Sequence, residues 1–218
     1  MADIPFDLFA KEYDAWFDSA NGERIFDLES SCLQKLAGKL EGDWLEIGVG
    51  TGRFAETLGI KQGIDPSSAA LELAATRGVQ TQVGCGEDLP YPDAGFDGVL
   101  LVVAFCFLAD PLKTLKESFR VLKQNGSLIV GFVPAESSWG IKYAQKAREG
   151  HRFYSKARFY TCDHIVSLAA EAGFVLNTAR SCLFSPPDEP ITNTVQKEGI
   201  ITNAGFVAMK FKKALSIP

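Results

Sequence analysis

A chain of 218 residues, 46% apolar and 22% charged, can bury a sizeable core unaided and has an ordinary globular balance, which excludes a disordered or low-complexity protein. The net charge of −5 gives no support for a phosphate-backbone partner, because nucleic-acid binders carry a basic face. Five cysteines, at 32, 85, 106, 162 and 182, are odd in number and widely spaced with no C-x-x-C pair, which argues against a disulfide framework or a zinc site.

The longest apolar run, Val99–Ala109, is too short to span a bilayer. The segment beginning at Met1 also lacks the basic region and small-residue cleavage site of a signal peptide, so a cytoplasmic protein is expected.

In chain order the signals run helix, helix, then strand and helix in alternation, which predicts an α/β fold with a mainly parallel sheet covered on both faces. The first helical segment carries Phe6, Phe9, Tyr13, Trp16 and Phe17. Next, the apolar run from Trp44 reads as a buried strand that holds Glu46 and is followed at once by Gly48, Val49, Gly50, Thr51 and Gly52. Alternating glycines let the backbone turn sharply and approach a ligand where a Cβ would collide. The pattern is E-x-G-x-G-x-G, not the G-x-G-x-x-G whose last glycine opens a pyrophosphate-binding helix. A carboxylate ahead of the first glycine suits a ligand bearing an ammonium and repels a pyrophosphate.

After a short helix, Gly63-Ile64-Asp65-Pro66-Ser67 puts Asp65 at the end of a second strand, where an acidic side chain can accept two ribose hydroxyls. Asp65 and Ser67 equally suit a helix start. The strand Val79–Val83 leads into a loop with Cys85, Gly86, Glu87 and Leu89, and Phe96–Val103 makes a fourth strand ending at Ala104, Phe105, Cys106 and Phe107. Asp110-Pro111 is a helix start; Leu112, Leu115, Phe119 and Leu122 share one face, and Asn125-Gly126 ends the helix. Ser127–Val133 is the fifth strand.

Residues 134–160 are aromatic and basic, with Trp139, Tyr143, His151, Phe153, Tyr154, Phe159 and Tyr160 among Lys142, Lys146, Arg148, Arg152, Lys156 and Arg158. A solvated helix face has the same composition. A helix over Asp163–Ala172, with Ile165, Leu168 and Ala169 inward, is stopped by Gly173, and Phe174–Phe184 and Phe206–Lys212 complete seven strands. Ser185–Pro190 is a loop.

Four of these segments, in this order over Trp44–Pro134, resemble the class I S-adenosylmethionine-dependent methyltransferases. The first motif has that form, the third loop corresponds to G-D-A-x-x-L-P-F, and Phe96-Asp97-Gly98-Val99 corresponds to F-D-x-V. Tyr13-Asp14-Ala15-Trp16-Phe17 also resembles the Y-D-x-W-F lead-in of relatives of the quinone-biosynthesis C-methyltransferases.

The resemblance implies a Rossmann-like sheet in the order 3-2-1-4-5-7-6 with the last strand antiparallel, and S-adenosylmethionine as cofactor. The length suits one domain, and the expected division is a helical lid over 1–40, a cofactor core over 44–133, a substrate cap over 134–160, and the C-terminal helix and strands over 161–218. Glu46 would orient the methionine amino group, with the backbone of Gly48, Val49, Gly50 and Gly52 at the carboxylate and sulfur. Asp65, with Pro66 beside it, would take the ribose, and Gly86, Glu87 and Leu89 would frame the adenine. Ala104 would lie near the transferable methyl and Tyr13 near the methionine end, although a helix packing its aromatic stripe on the core would read the same.

Two departures stand out. Cys85 replaces the aspartate that accepts the adenine amino group, and a thiol is a poor acceptor, which leaves Glu87 or a backbone carbonyl for that task. Phe105-Cys106-Phe107 stands where many relatives carry histidines, which leaves an apolar floor and makes His151 and Tyr154 the candidate bases. His164 reads as structural.

The expected activity is methyl transfer by in-line displacement to a small molecule, anionic or acidic-headed if the cap's basic groups greet it. An inactive cofactor-binding scaffold of the same fold and a nicotinamide-dependent oxidoreductase are the competing readings. Titration with S-adenosylhomocysteine and NAD separates the second of these, and methylated product excludes the first. The methyl acceptor and the oligomeric state are not set by the sequence.

Overall fold

The computed structural model describes residues 5–214. Helices α1 (Pro5–Trp16) and α2 (Ala20–Ala37) precede the sheet. Then follow β1 (Trp44–Ile47), α3 (Arg53–Leu58), β2 (Gln62–Asp65), α4 (Ser68–Thr76), β3 (Gln80–Val83), β4 (Phe96–Val102), α5 (Pro111–Val121) and β5 (Leu122–Phe132). The remainder is α6 (Ser138–Arg148), α7 (Cys162–Glu171), β6 (Phe174–Cys182), β7 (Lys197–Glu198) and β8 (Phe206–Lys213).

The strands lie in the order β3-β2-β1-β4-β5-β8-β6-β7. Neighbours from β3 to β5 pair in parallel, and β8 runs antiparallel between β5 and β6. This is the expected sheet, with β8 as the seventh predicted strand. The added β7 pairs only Lys197 and Glu198 with Ser181 and Arg180 at the outer edge.

Both faces of the central strands are covered, which is why they read as continuous apolar runs rather than alternating ones. Leu45, Ile47, Val99 and Leu101 pack with Leu115 of α5 and Ile165 of α7. Trp44, Leu100 and Val102 pack on the other face with Leu33 of α2, Phe54 of α3 and Leu71 of α4. Among the described residues, no helix is long and apolar enough to cross a membrane.

One predicted boundary is corrected. Helix α5 starts as expected, with the Asp110 carboxylate accepting from the Lys113 amide at 3.0 Å, but it ends at Val121, ahead of Asn125-Gly126. Leu122 leaves the helical region (φ −74°, ψ 136°) and pairs with Phe96 as the first residue of β5. The register then jumps to Gly98↔Ser127, so Lys123–Gly126 form an irregularity within the strand, where the Lys123 ammonium donates to Asp97 at 2.7 Å. Fully burying Leu122 between sheet and helix outweighs one more helical turn.

Candidate active site

The carboxyl ends of β1, β2 and β4 lie side by side, since Glu46 is in register with Gly63 on one side and Leu100 on the other. Beyond β1 the chain turns at Gly48 (φ +70°), whose amide donates to the Ile64 carbonyl at 2.8 Å. A Cβ on Gly48 would stand 2.4 Å from that of Ala104. The glycine loop and the tip of β4 therefore touch backbone to side chain. Gly50 (φ +51°) has nothing within 4 Å of its Cβ position, so the loop faces open space there.

Asp65 reaches back from β2 and braces this loop. One carboxylate oxygen accepts from the Gly50 amide at 3.0 Å and the other from the Ser67 amide at 2.8 Å, while the exposed Pro66 makes the turn between Asp65 and Ser67. Burial raises its pKa, and those two amides offset part of the rise. Asp65 is thus both a loop brace and, with lone pairs still unused on each oxygen, a ribose acceptor by chemistry.

Glu46 is 1% exposed, and its Oε2 has no hydrogen-bond partner. Burial raises its pKa well above the usual carboxylate range, Asp65 adds to the rise, and the Ala55 amide opposes it. A buried carboxylate oxygen without a donor costs stability, and an ammonium is the group that would complete it. These observations fit the methionine end of S-adenosylmethionine: an orphaned acceptor for its amine, and a loop whose geometry excludes side chains where the backbone must come close.

On the adenine side, Gly86 is buried, with no room for a Cβ between Thr114 and Ile47. Glu87 directs one oxygen to the amides of Ala109 (2.9 Å) and Asp110 (3.1 Å), and the amide of the buried Leu89 donates to Glu117 at 2.9 Å. Glu87 therefore anchors the start of α5, with one oxygen left, and Cys85 is exposed.

Helix α1 is tied to the elements that flank the glycine loop. The Ser67 hydroxyl donates to Asp7 at 2.8 Å, and Asp14 accepts from Arg53 of α3 at 2.8 and 3.0 Å and from Arg77, beyond α4, at 2.9 Å. Arg77 also donates to the Thr51 carbonyl at 2.7 Å. One carboxylate thus ties the helix to both walls of the loop. Burial alone would raise the Asp14 pKa, but hydrogen bonds from Arg53, Thr51 and Arg77 outweigh it and bring it down to about 2.

Because its folded pKa is depressed, Asp14 contributes stability above its ordinary value of 3.8, and that contribution is lost as pH falls through about 2. Replacing Asp14 by alanine is expected to cost about 2 kcal/mol at pH 7 and to weaken S-adenosylhomocysteine binding roughly tenfold. Denaturant titrations should show the difference from wild type shrinking between pH 4 and pH 2. A pH-independent difference would remove the ion pairs from the explanation.

A cavity of about 300 Å³ opens at the tip of β4. Its walls come from α1 (Phe6, Tyr13), α2 (Ile25, Glu29), the β4 tip (Val103, Phe105, Cys106) and the segment after β5 (Tyr143, Lys146, His151, Phe153, Tyr154). Tyr13 packs edge-on against Phe6, Phe17 and Phe153, and burial raises its pKa. Val103 has φ +46°, a costly conformation for a β-branched residue, and it sits where the strand enters the site.

His151 and Tyr154 stack at 4.8 Å, and Tyr154 stacks on Tyr143 at 4.6 Å. Burial, then Lys146 and Arg152, lower the His151 pKa, and burial pushes Tyr154 up to about 12. Burial likewise pushes Cys106 up to about 12, which keeps it a thiol. His164 lies in the first turn of α7 with its ring edge-on to Tyr160, which lines the cavity, while His164 itself does not.

The basic cluster divides on folding. Lys142 pairs with Asp188, whereas Lys146 and Arg152 line the cavity together with Glu12 and Glu29. Glu29, Val103 and the Asp14 network were not anticipated. Glu29 had a signal, since it falls on the buried stripe of α2 with Ile25, Leu28, Cys32, Leu33 and Leu36.

A loop of alternating glycines at the first strand tip of such a sheet, an acidic residue at the second, and an adjoining cavity are the arrangement expected of a methyltransferase site. The profile of the methyltransferase-domain family matches residues 45–130. An uncharacterized protein of Methanocaldococcus jannaschii is 36% identical over 95% of this chain and 98% of its own, and one from Mycobacterium tuberculosis is 39% identical over 92% of this chain and 70% of its own. A crystal structure from Thermotoga maritima, described as a SAM-dependent methyltransferase and possible histamine N-methyltransferase, superposes with a TM-score of 0.88 at 38% identity, covering 96% of this chain and 98% of that one. The chain belongs to the S-adenosyl-L-methionine-dependent methyltransferases, and S-adenosyl-L-methionine is its cofactor.

Proposed function

We propose that the protein methylates a small molecule held in the cavity at the tip of β4, between α1 acting as a lid and residues 134–160 acting as a cap. The observation that carries this reading is the contact of Gly48 with Ala104, whose chain neighbours Val103 and Phe105 line the cavity, so that the cofactor loop and the cavity share the tip of β4. The cofactor supplies a methyl group on a sulfonium, a carbon open to in-line displacement. The chain's own work is then positioning and exclusion of water, for which holding the reactants in line is worth roughly 7–11 kcal/mol. Glu46, Gly48, Val49, Gly50, Gly52, Asp65, Pro66, Gly86, Glu87 and Leu89 hold the cofactor, Ala104 and Tyr13 border the transfer point, and the aromatic walls keep the acceptor dry.

His151 is the base in this reading, because its lowered pKa leaves the imidazole neutral at neutral pH. Tyr154, pushed up to about 12, serves as a hydrogen-bond donor. Replacing His151 by alanine is expected to lower kcat by about a hundredfold at pH 7, and Tyr154→Phe by about tenfold. Unchanged turnover in both removes them from the mechanism.

Calorimetric titration with S-adenosylhomocysteine and with NAD, followed by mass spectrometry of candidate acceptors after incubation with the cofactor, tests the function itself. Binding of the first ligand together with a methylated product supports it. Binding without product for any acceptor favours a scaffold. A second reading of the acceptor, with an acidic head, is favoured by Lys146 and Arg152 in the cavity wall.

A further inference from the structure

The cavity is aromatic on most sides, yet an acidic residue of α2, Glu29, lines it. Glu29 is 5% exposed and lines the cavity with Tyr13, Tyr143 and Tyr154. Among the described residues it joins no ion pair. An acidic side chain on an otherwise apolar helical stripe costs stability, so its presence calls for a ligand that compensates it.

The geometry points to an acceptor that carries a protonated amine on an apolar or aromatic body, with Glu29 as the counter-ion that recognises the amine. This rests on reading the cavity as the acceptor site. The surrounding rings suit the same ligand, since the faces of neutral tyrosines attract a cation. Burial, then Cys32, hold the Glu29 carboxyl up at about 8, so in the empty cavity at pH 7 it is mostly protonated. An arriving ammonium favours the carboxylate, and one proton leaves to solvent for each cation bound, which conserves charge.

The titratable groups acting on Glu29 from around it are Cys32 on its own helix, Tyr13 of α1, Tyr143 of α6, Tyr154 and Cys182 of β6, none of them a cation. The charged groups elsewhere in the wall are Glu12, Lys146 and Arg152, beside the neutral His151. Lys146 lies over the Tyr143 ring at 5.8 Å and Arg152 over Phe9 at 4.5 Å.

The test titrates the full chain, with and without S-adenosylhomocysteine, with three probes of similar shape: phenethylamine, phenethyl alcohol and hydrocinnamate. Each titration is run at pH 7 in phosphate and in Tris, whose ionisation enthalpies differ. Phenethylamine is expected to bind at least about tenfold more tightly than the alcohol and to release close to one proton. Glu29→Gln should remove the proton release and about tenfold of the amine affinity, leaving the alcohol and S-adenosylhomocysteine bound as before.

Equal binding of amine and alcohol, tighter binding of hydrocinnamate, or absence of proton release in wild type each overturns the proposal, and the wild-type results decide it even where the variant folds poorly. Failure of S-adenosylhomocysteine to bind wild type strikes the reading of the neighbouring cofactor site instead, because the preference among the three probes is measured without it as well.

Discussion

Replacing Glu46 by methionine should make the cofactor-free protein more stable while nearly abolishing its affinity for the cofactor. An unsatisfied buried polar group costs about 1–3 kcal/mol, and methionine fills similar space without one. The sign follows from the raised pKa of Glu46. A carboxyl group that is harder to ionise folded than unfolded penalises the fold above its ordinary value of 4.5, so the variant's advantage should widen as pH rises from there. In the complex the ledger reverses, because removing the partner of a buried ammonium typically costs about 2–4 kcal/mol, or roughly 30- to 1000-fold in Kd. Thermal unfolding across pH and calorimetry with S-adenosylhomocysteine measure both halves. A variant that is less stable without ligand and binds normally would show that Glu46 serves the fold alone.

The second large effect is expected at Gly48. Alanine there would have to hold φ near +70°, at about 1–2 kcal/mol, and its Cβ would stand 2.4 Å from the Cβ of Ala104. Relief requires the loop or the β4 tip to move by about 1 Å, a displacement that can cost about a hundredfold at an active site. Cofactor affinity and turnover should both fall by about that factor. Gly59→Ala is the control, since Gly59 has φ +75° but nothing within 4 Å of its Cβ position. It should lose about 1–2 kcal/mol of stability and no cofactor affinity. Equal binding by both variants would detach the Gly48–Ala104 contact from function.

Much of this was legible because local chemistry and fold agree. Leu45, Ile47, Leu100 and Val102 had to be buried on both faces, so β1 and β4 read as continuous apolar runs, and Asp110-Pro111 announced α5 through its cap. The far end of α5 was not legible. Leu122 continues the helical stripe and Asn-Gly looks like a turn, yet pairing with Phe96 draws Leu122 into β5. The two residues of β7 carry no apolar pattern at all.

In the site, the glycines, Glu46 and Asp65 could be placed from spacing, because strand tips come together by topology. Asp14, Arg53 and Arg77 could not, being 39 and 63 positions apart with nothing local to join them. Glu87 has a second task that spacing does not show: one carboxylate oxygen accepts from the backbone at the start of α5, and the other is left.

The grip of Asp14 on two guanidinium groups couples two regions through one helix: the carboxylate pins α1 to Arg53 and Arg77 beside the glycine loop, and Phe6 and Tyr13 of the same helix are two of the cavity's walls. Loosening that single anchor would disturb both regions at once.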